Sequence, residues 1–288
     1  MTMTAFSSSP RVGPQDLVAG VVELASPPEI YRRITELMDS PSSNAADLGA
    51  VIENDPGLTA RVLKLVNSAY FGNGSEIATV SRAIAVLGMR ELHDLVLATS
   101  MLQVFEGLPN DIVNMRSFWH GSMRCAIRSK LLAARHPQYD ALESVFVVGL
   151  LHEVGHLVMY RKLPEISREA ILRHEYTGVE IQEAERQVFG FDFAAVGGAL
   201  MRAWKLPVVL QEAIEFQFQP ELSAHFPLET ALVHLAGRMA GLENAGELER
   251  QLPPEAAIWR RVGLTPRIAV EVLAEAEEQL SAVLRSFD

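Results

Sequence analysis

The sequence predicts an all-α protein, on three observations. Apolar residues recur at the three-and-four spacing of an amphipathic helix along nearly the whole of its 288 residues. No stretch shows the apolar–polar alternation of a half-buried strand. Its 19 Gly and 15 Pro are scattered singly, punctuating helices rather than forming low-complexity segments. With 49% of residues hydrophobic, the chain can bury a large core as one big domain or two smaller ones.

Met1 to Pro14 is rich in Ser and Thr and lacks the basic start and apolar run of a signal peptide, so residues 1–15 are expected to form a loose tail. Ser26-Pro27-Pro28-Glu29 reads as a capping box with Pro in the first turn, followed by Ile30, Ile34, Leu37 and Met38 on one face. Asn44 to Asp47 offers a second start, leading into Leu48, Val51 and Ile52. Asp55-Pro56 opens a third helix with Leu58, Val62, Leu65 and Val66 as its stripe. That helix ends at Asn67, and Asn73-Gly74 marks a turn. Ser81 restarts the chain with Ile84 and Leu87, and Gly88 is a break before Met89, Leu92 and Val96.

Leu108-Pro109-Asn110-Asp111 is the expected boundary, dividing the chain into helical parts at 16–110 and 111–288. Longer helices follow at about 114–135, 142–162, 165–176, 178–188, 192–203, 207–216, 226–241 and 267–286. In the last, Ile268, Val272, Ala276, Leu280 and Val283 form a stripe expected to dock on the chain's own domain.

A net charge of −11, from 25 Lys and Arg against 36 Asp and Glu, repels phosphate backbones and disfavours nucleic-acid binding. Arg116, Arg124, Arg128 and Lys130 lie close in sequence, and a solvated helix face is the expected reading. The single cysteine, Cys125, excludes an internal disulfide and fits a reducing, cytoplasmic setting, where it should pack as a small hydrophobe. The longest apolar run, Val145 to Leu151, is far too short to span a membrane.

His152-Glu153-Val154-Gly155-His156 carries the chemistry of the sequence. On a helix, two His four residues apart share a face and can hold zinc, with the intervening Glu polarising a water, as in a zinc metallopeptidase. A third ligand is needed, and Glu169, His174, Glu175 and Glu180 are only generic candidates. No strand is present to hold an extended peptide, so this reading ranks behind the others.

Four segments set the motif in a wider pattern: Asp55 to Ala69, Ser81 to Gly88, Phe118-Trp119 with Gly149 to His156, and Trp204-Lys205-Leu206-Pro207. In order and spacing they resemble the HDOD family, bacterial relatives of the HD-type metal-dependent phosphohydrolases, over roughly residues 20 to 240. The resemblance implies an N-terminal helical bundle followed by a degenerate HD-domain-like bundle. It implies that His152 matches the His of the His-Asp pair, with Glu153 in place of the Asp. By the same resemblance, Gly121 stands where an upstream His is expected and His120 is one residue off, which on a helix turns it by about 100°. Phe193, the pair Phe216-Gln217 and Gly237 occupy further ligand positions. Phe and Gly supply no lone pairs, so no catalytic residue, cofactor or metal is expected, and His152, Glu153 and His156 are a vestige of the site. His152 is expected as a hydrogen-bonded core histidine.

The resemblance therefore implies a non-catalytic signal-transduction module whose partners are other signalling proteins. A residual phosphohydrolase is one alternative. Another is a pocket that senses a nucleotide without cleaving it, with Phe193, Trp204 and Phe216 as stacking surfaces.

Overall fold

The computed structural model describes residues 13–22, 29–67, 77–105, 112–138, 142, 144–242, 245–253 and 256–285, and among them the regular structure is helical throughout. α1 (Pro14–Val22) begins inside the segment expected as tail, and its packing is on two helices of the second half, at Val154–Lys162 and Phe193–Ala203. The Ser26 capping box, the Asn73-Gly74 turn and the 108–111 boundary lie outside the described residues.

α2 (Glu29–Asp39), α3 (Ala45–Glu53), α4 (Pro56–Val66), α5 (Val80–Leu87) and α6 (Met89–Val104) pack on one another as a bundle. Their starts follow the cap chemistry. The Asn44 side chain accepts from the Ala46 and Asp47 amides, and the Asp47 carboxylate accepts from the Asn44 amide, which satisfies donors the helix itself cannot. The Asp55 carboxylate accepts from Leu58 N at 2.9 Å with Pro56 behind it. α5 differs from expectation: Thr79, in extended backbone, caps it by accepting from Arg82 N, so Ser81 already lies within the first turn. Gly88 ends it at φ 86°, a conformation that favours glycine. Asn67 does more than end α4: its amide donates to Leu63 O and Ile77 O while its carbonyl accepts from Ile77 N at 2.6 Å, fastening the returning chain to the helix end.

In the second half, α7 (Met115–Ala134) is the axis, with α8 (Val145–Leu151), α14 (Pro227–Arg238) and α17 (Pro266–Arg285) packed against it. α9 (Val154–Lys162) lies against α12 (Phe193–Ala203), and α10 (Pro164–Thr177) against α11 (Ile181–Phe189). α13 (Val208–Glu215) completes the layer next to α12 and α14. Two short helices, α15 (Ala245–Gln251) and α16 (Ala257–Val262), are additional to those expected; they are too short for their periodicity to stand out, yet they bury Leu248, Trp259 and Val262. Val272, Ala276 and Leu280 of α17 are buried against the chain's own domain, as their stripe predicts; the Val283 side chain lies outside the described set. The two halves also meet where α6 packs on α8, and the Ser144 hydroxyl donates to Asp94 at 2.8 Å across that contact.

Of the basic cluster on α7, Arg116 is exposed as expected, but the other three residues are not a solvated face. Arg124 pairs with Glu277 and Lys130 with Glu91. Arg128 is 1% exposed, and its guanidinium donates to Met239 O at the end of α14 and to Glu277 at 2.9 Å on α17. No helix among the described residues is long and apolar enough to cross a membrane.

Candidate functional site

The expected helix at 142–162 is two helices, and the break falls within the motif. His152 closes α8, while Glu153, at φ −103° and ψ 8°, opens α9. The geometry on which a zinc-binding H-E-x-x-H depends, two imidazoles one turn apart on a continuous helix, is therefore lost.

The two histidines are committed to different partners. His152 is 5% exposed, and its Nδ1–H donates to Gly149 O at 2.8 Å. Burial pushes its pKa down, while the Cys125 sulfur and the Glu153 carboxylate beside it raise it, to about 9 on balance. His156 is equally buried, but its Nε2 lies 3.0 Å from Glu185 Oε1, and its ring packs tilted against Phe193 at 3.9 Å and stacks on Tyr160 at 5.4 Å. Glu185, itself 2% exposed, also accepts from Phe193 N at 2.9 Å. Burial lowers the His156 pKa, the Glu185 carboxylate raises it, and the net direction is upward.

That direction fixes a pH dependence. A histidine whose folded pKa lies above its ordinary 6.5 contributes stability that is fully present below 6.5 and fades as pH rises through the folded value. The wild-type melting temperature is accordingly expected to decline on the alkaline side of 6.5 more steeply than that of Glu185→Gln. The variant should also be less stable by about 3 kcal/mol at pH 6, because an uncompensated buried histidine remains. Parallel melting curves of the two proteins from pH 6 to 9 would refute the pairing.

A cavity of about 270 Å³ opens beside His152. His152, Glu153, Phe193, Gln217 and Gly237, which the resemblance aligns with ligand positions, all line it. Gly121 does not; the α7 residue beside His152 is Cys125, one turn further on. Phe193 fills its place with a ring rather than a lone pair. Gln217 donates from one amide nitrogen to His152 O and Ile214 O, both at 2.8 Å. A Cβ on Gly237 would stand 3.9 Å from His152 Cδ2 with nothing else within 4 Å.

Of the candidates for a third zinc ligand, His174 donates to Val179 O within its own turn, and Glu180 lines the cavity rim, paired with Arg238 at 3.4 Å. Among the described residues, no group of three His, Cys, Asp or Glu side chains is placed to hold a metal ion. Of the three aromatic surfaces, Phe193 reaches the cavity and Trp204 and Phe216 do not. Phe218, His234 and Arg238 line it without having been singled out, and Glu185 is the unforeseen partner of His156. No local pattern marks these four residues, since each becomes relevant only through a contact across helices.

The HDOD domain matches residues 24–220 of the chain. An uncharacterized protein of Treponema pallidum is 23% identical over 192 residues, and the match spans 66% of this chain but 37% of that protein. Among solved structures, an HDOD domain protein of unknown function from Geobacter sulfurreducens is similar at TM-score 0.76 and 22% identity, covering 95% of this chain and 98% of that one. A protein of Shewanella amazonensis provisionally described as a phosphohydrolase follows at 0.73 and 23%, covering 94% and 98%. One of Marinobacter aquaeolei, provisionally described as a signal transduction protein, gives 0.72 and 20%, covering 94% of this chain and 64% of that one. At these identities the structures attest the fold alone. With the domain match running from α2 to the turn after α13, and the cavity at the positions the motif pattern indicated, the chain belongs to the HDOD domain family.

Proposed function

We propose that this protein is a non-catalytic regulatory module of the bacterial cytoplasm, acting through contacts with other signalling proteins. One observation carries the non-catalytic part: a phenyl ring, an amide and a bare α-carbon occupy the cavity at Phe193, Gln217 and Gly237. A hydrolytic metal needs several deprotonated ligands converging with an outer shell to orient them. His152 and Glu153 alone, 3.9 Å apart, do not amount to that. The regulatory part is supported by membership of the HDOD domain family and by the signal-transduction description of the Marinobacter relative.

The test is elemental analysis of protein purified without chelator, beside His152→Ala. Less than about a tenth of an equivalent of any transition metal is expected in both. Near-stoichiometric zinc, manganese or iron that disappears in the variant would overturn the reading and restore the phosphohydrolase alternative. For the partner part, capture from the native cell should return the same signalling proteins reproducibly, and a consistently empty result would count against it.

The persistence of an open cavity of about 270 Å³ where a metal centre would stand favours a second reading, that the module binds a small ligand there without transforming it.

A further inference from the structure

α10 carries an apolar face that nothing among the described residues covers. The large apolar side chains left exposed in those residues are Ile166, Leu172, Tyr176, Val208 and Leu222, and the first three belong to α10. Tyr176 is the extreme case, at 85% exposed. The helix turns Ser167 and Ala170 inward and packs on α9 and α11. On its outer side, steps of three and four residues line up Ile166, Glu169, Arg173 and Tyr176, with Leu172 beside them. Glu169, Leu172, Arg173 and Tyr176 border a shallow groove of about 420 Å³.

The order of these residues is its own complement. About Ile171 as midpoint, Ile166 and Tyr176 lie five residues to either side, and Glu169 and Arg173 lie two. Two copies laid antiparallel at this register set Ile166 against Tyr176 and Glu169 against Arg173, twice each, with the Leu172 side chains near the axis. A parallel pairing would set acid against acid and base against base, which is unfavourable. Within one copy Glu169 and Arg173 are 3.6 Å apart, their side chains 62% and 40% exposed. That pair stays intact on association: each carboxylate gains the facing guanidinium as a second neighbour, and four charges alternate around the axis. The net charge of −11 opposes approach of two chains, but salt screens it beyond about 8 Å at physiological ionic strength, and Glu169 and Arg173 balance within the face.

We propose that the outer face of α10 is a homodimer contact, covered by the same face of a second copy running antiparallel about a two-fold axis near Ile171. A two-fold contact uses one patch on both subunits, so the patch must fit itself, as this one does. A helix of 14 residues is fewer than the roughly 20–30 residues a side of a standard interface, so the dimer is weak and concentration-dependent. The face shares no residue with the cavity beside His152, and the contact is independent of what that cavity binds.

Sedimentation velocity of the full chain from about 5 to 500 μM tests this, and wild type should pass reversibly from monomer to dimer across that range. Arg173→Glu places four acids around the axis and Glu169→Arg four bases, so each variant alone should need at least about tenfold more protein to dimerise. An equimolar mixture of the two restores acid against base at both positions and should dimerise as wild type does. Mixing cannot repair a folding defect, so recovery identifies this face and this direction. Tyr176→Ala should weaken the dimer by about tenfold with the charges intact, as loss of a central aromatic anchor does. A wild type that stays monomeric up to about 500 μM overturns the proposal, as does dimerisation that both charge variants retain. Loss in both variants without recovery in the mixture overturns the antiparallel pairing.

Discussion

Gly155→Ala is expected to cost at least about 3 kcal/mol of stability, the upper end of overpacking penalties. A Cβ at position 155 would fall 1.9 Å from Phe193 O and 2.7 Å from Gly197 N, both backbone atoms of α12. Side chains can rotate away from an intruding methyl, but the first turn of a buried helix cannot do so without moving what it carries. Here it carries Phe193, which walls the cavity and packs against the His156 ring, and whose amide bonds Glu185. The substitution should therefore lower the urea midpoint and disturb the His156 ring environment together. Gly121→Ala is the matched control: it is a helix-interior glycine whose added Cβ meets nothing within 4 Å. It should be neutral or stabilising by about 0.5–1 kcal/mol through helix propensity. Equal effects from the two substitutions would mean that the α9–α12 contact is not as close as described.

Arg128→Ala is expected to destabilise by about 2–5 kcal/mol, the range for truncating a large buried side chain, because it empties the space of a 1%-exposed residue and leaves Met239 O without its donor. The guanidinium ties three helices: it belongs to α7, donates to Met239 O just past α14, and pairs with Glu277 of α17. A cation at the C-terminal end of α14 also meets the negative end of that helix's dipole. Arg128→Lys should recover little, because a single ammonium cannot reproduce a fork that reaches a carbonyl and a carboxylate on different helices. Glu277→Gln should cost less than Arg128→Ala: it leaves the buried guanidinium without its counter-ion, but the amide oxygen still accepts from it, Met239 O keeps its bond, and water reaches the 44%-exposed side chain. Chemical denaturation of the three variants orders them, and a loss for Glu277→Gln as large as that for Arg128→Ala would contradict the clamp. Arg128 also shows how a sequence run misleads: it sits in a basic stretch that reads as solvated, yet it is buried, and its neighbours Arg124 and Lys130 are paired.

Much of this protein was legible without coordinates because the responsible interactions are local. Asn44, Asp47 and Asp55 cap helices with atoms two or three residues away, Gly88 supplies a positive φ, and the stripes on α4 and α17 follow from a period of 3.6 residues. The family pattern was legible because its motifs lie in order along the chain. The positions that line the cavity, His152, Glu153, Phe193, Gln217 and Gly237, were named from that pattern, although residues 152 and 237 are far apart in sequence.

What only the tertiary structure decided depends on which helices meet. Nothing in Val147-Val148-Gly149-Leu150-Leu151-His152-Glu153-Val154 breaks a helix, so periodicity reads it as continuous. The chain bends there because α8 lies along α7 and α14 while α9 lies along α12 and α1, and one straight helix cannot follow both directions. That bend gives His152 and His156 different partners, Gly149 and Glu185, and removes the resemblance to a zinc peptidase. The pairing of Cys125 with His152, the burial of Arg128 and the rim formed by Glu180 and Arg238 arise in the same way. Local sequence sets where helices start, stop and turn their apolar faces; the partners of a buried polar group are set by the docking of helices distant in the chain.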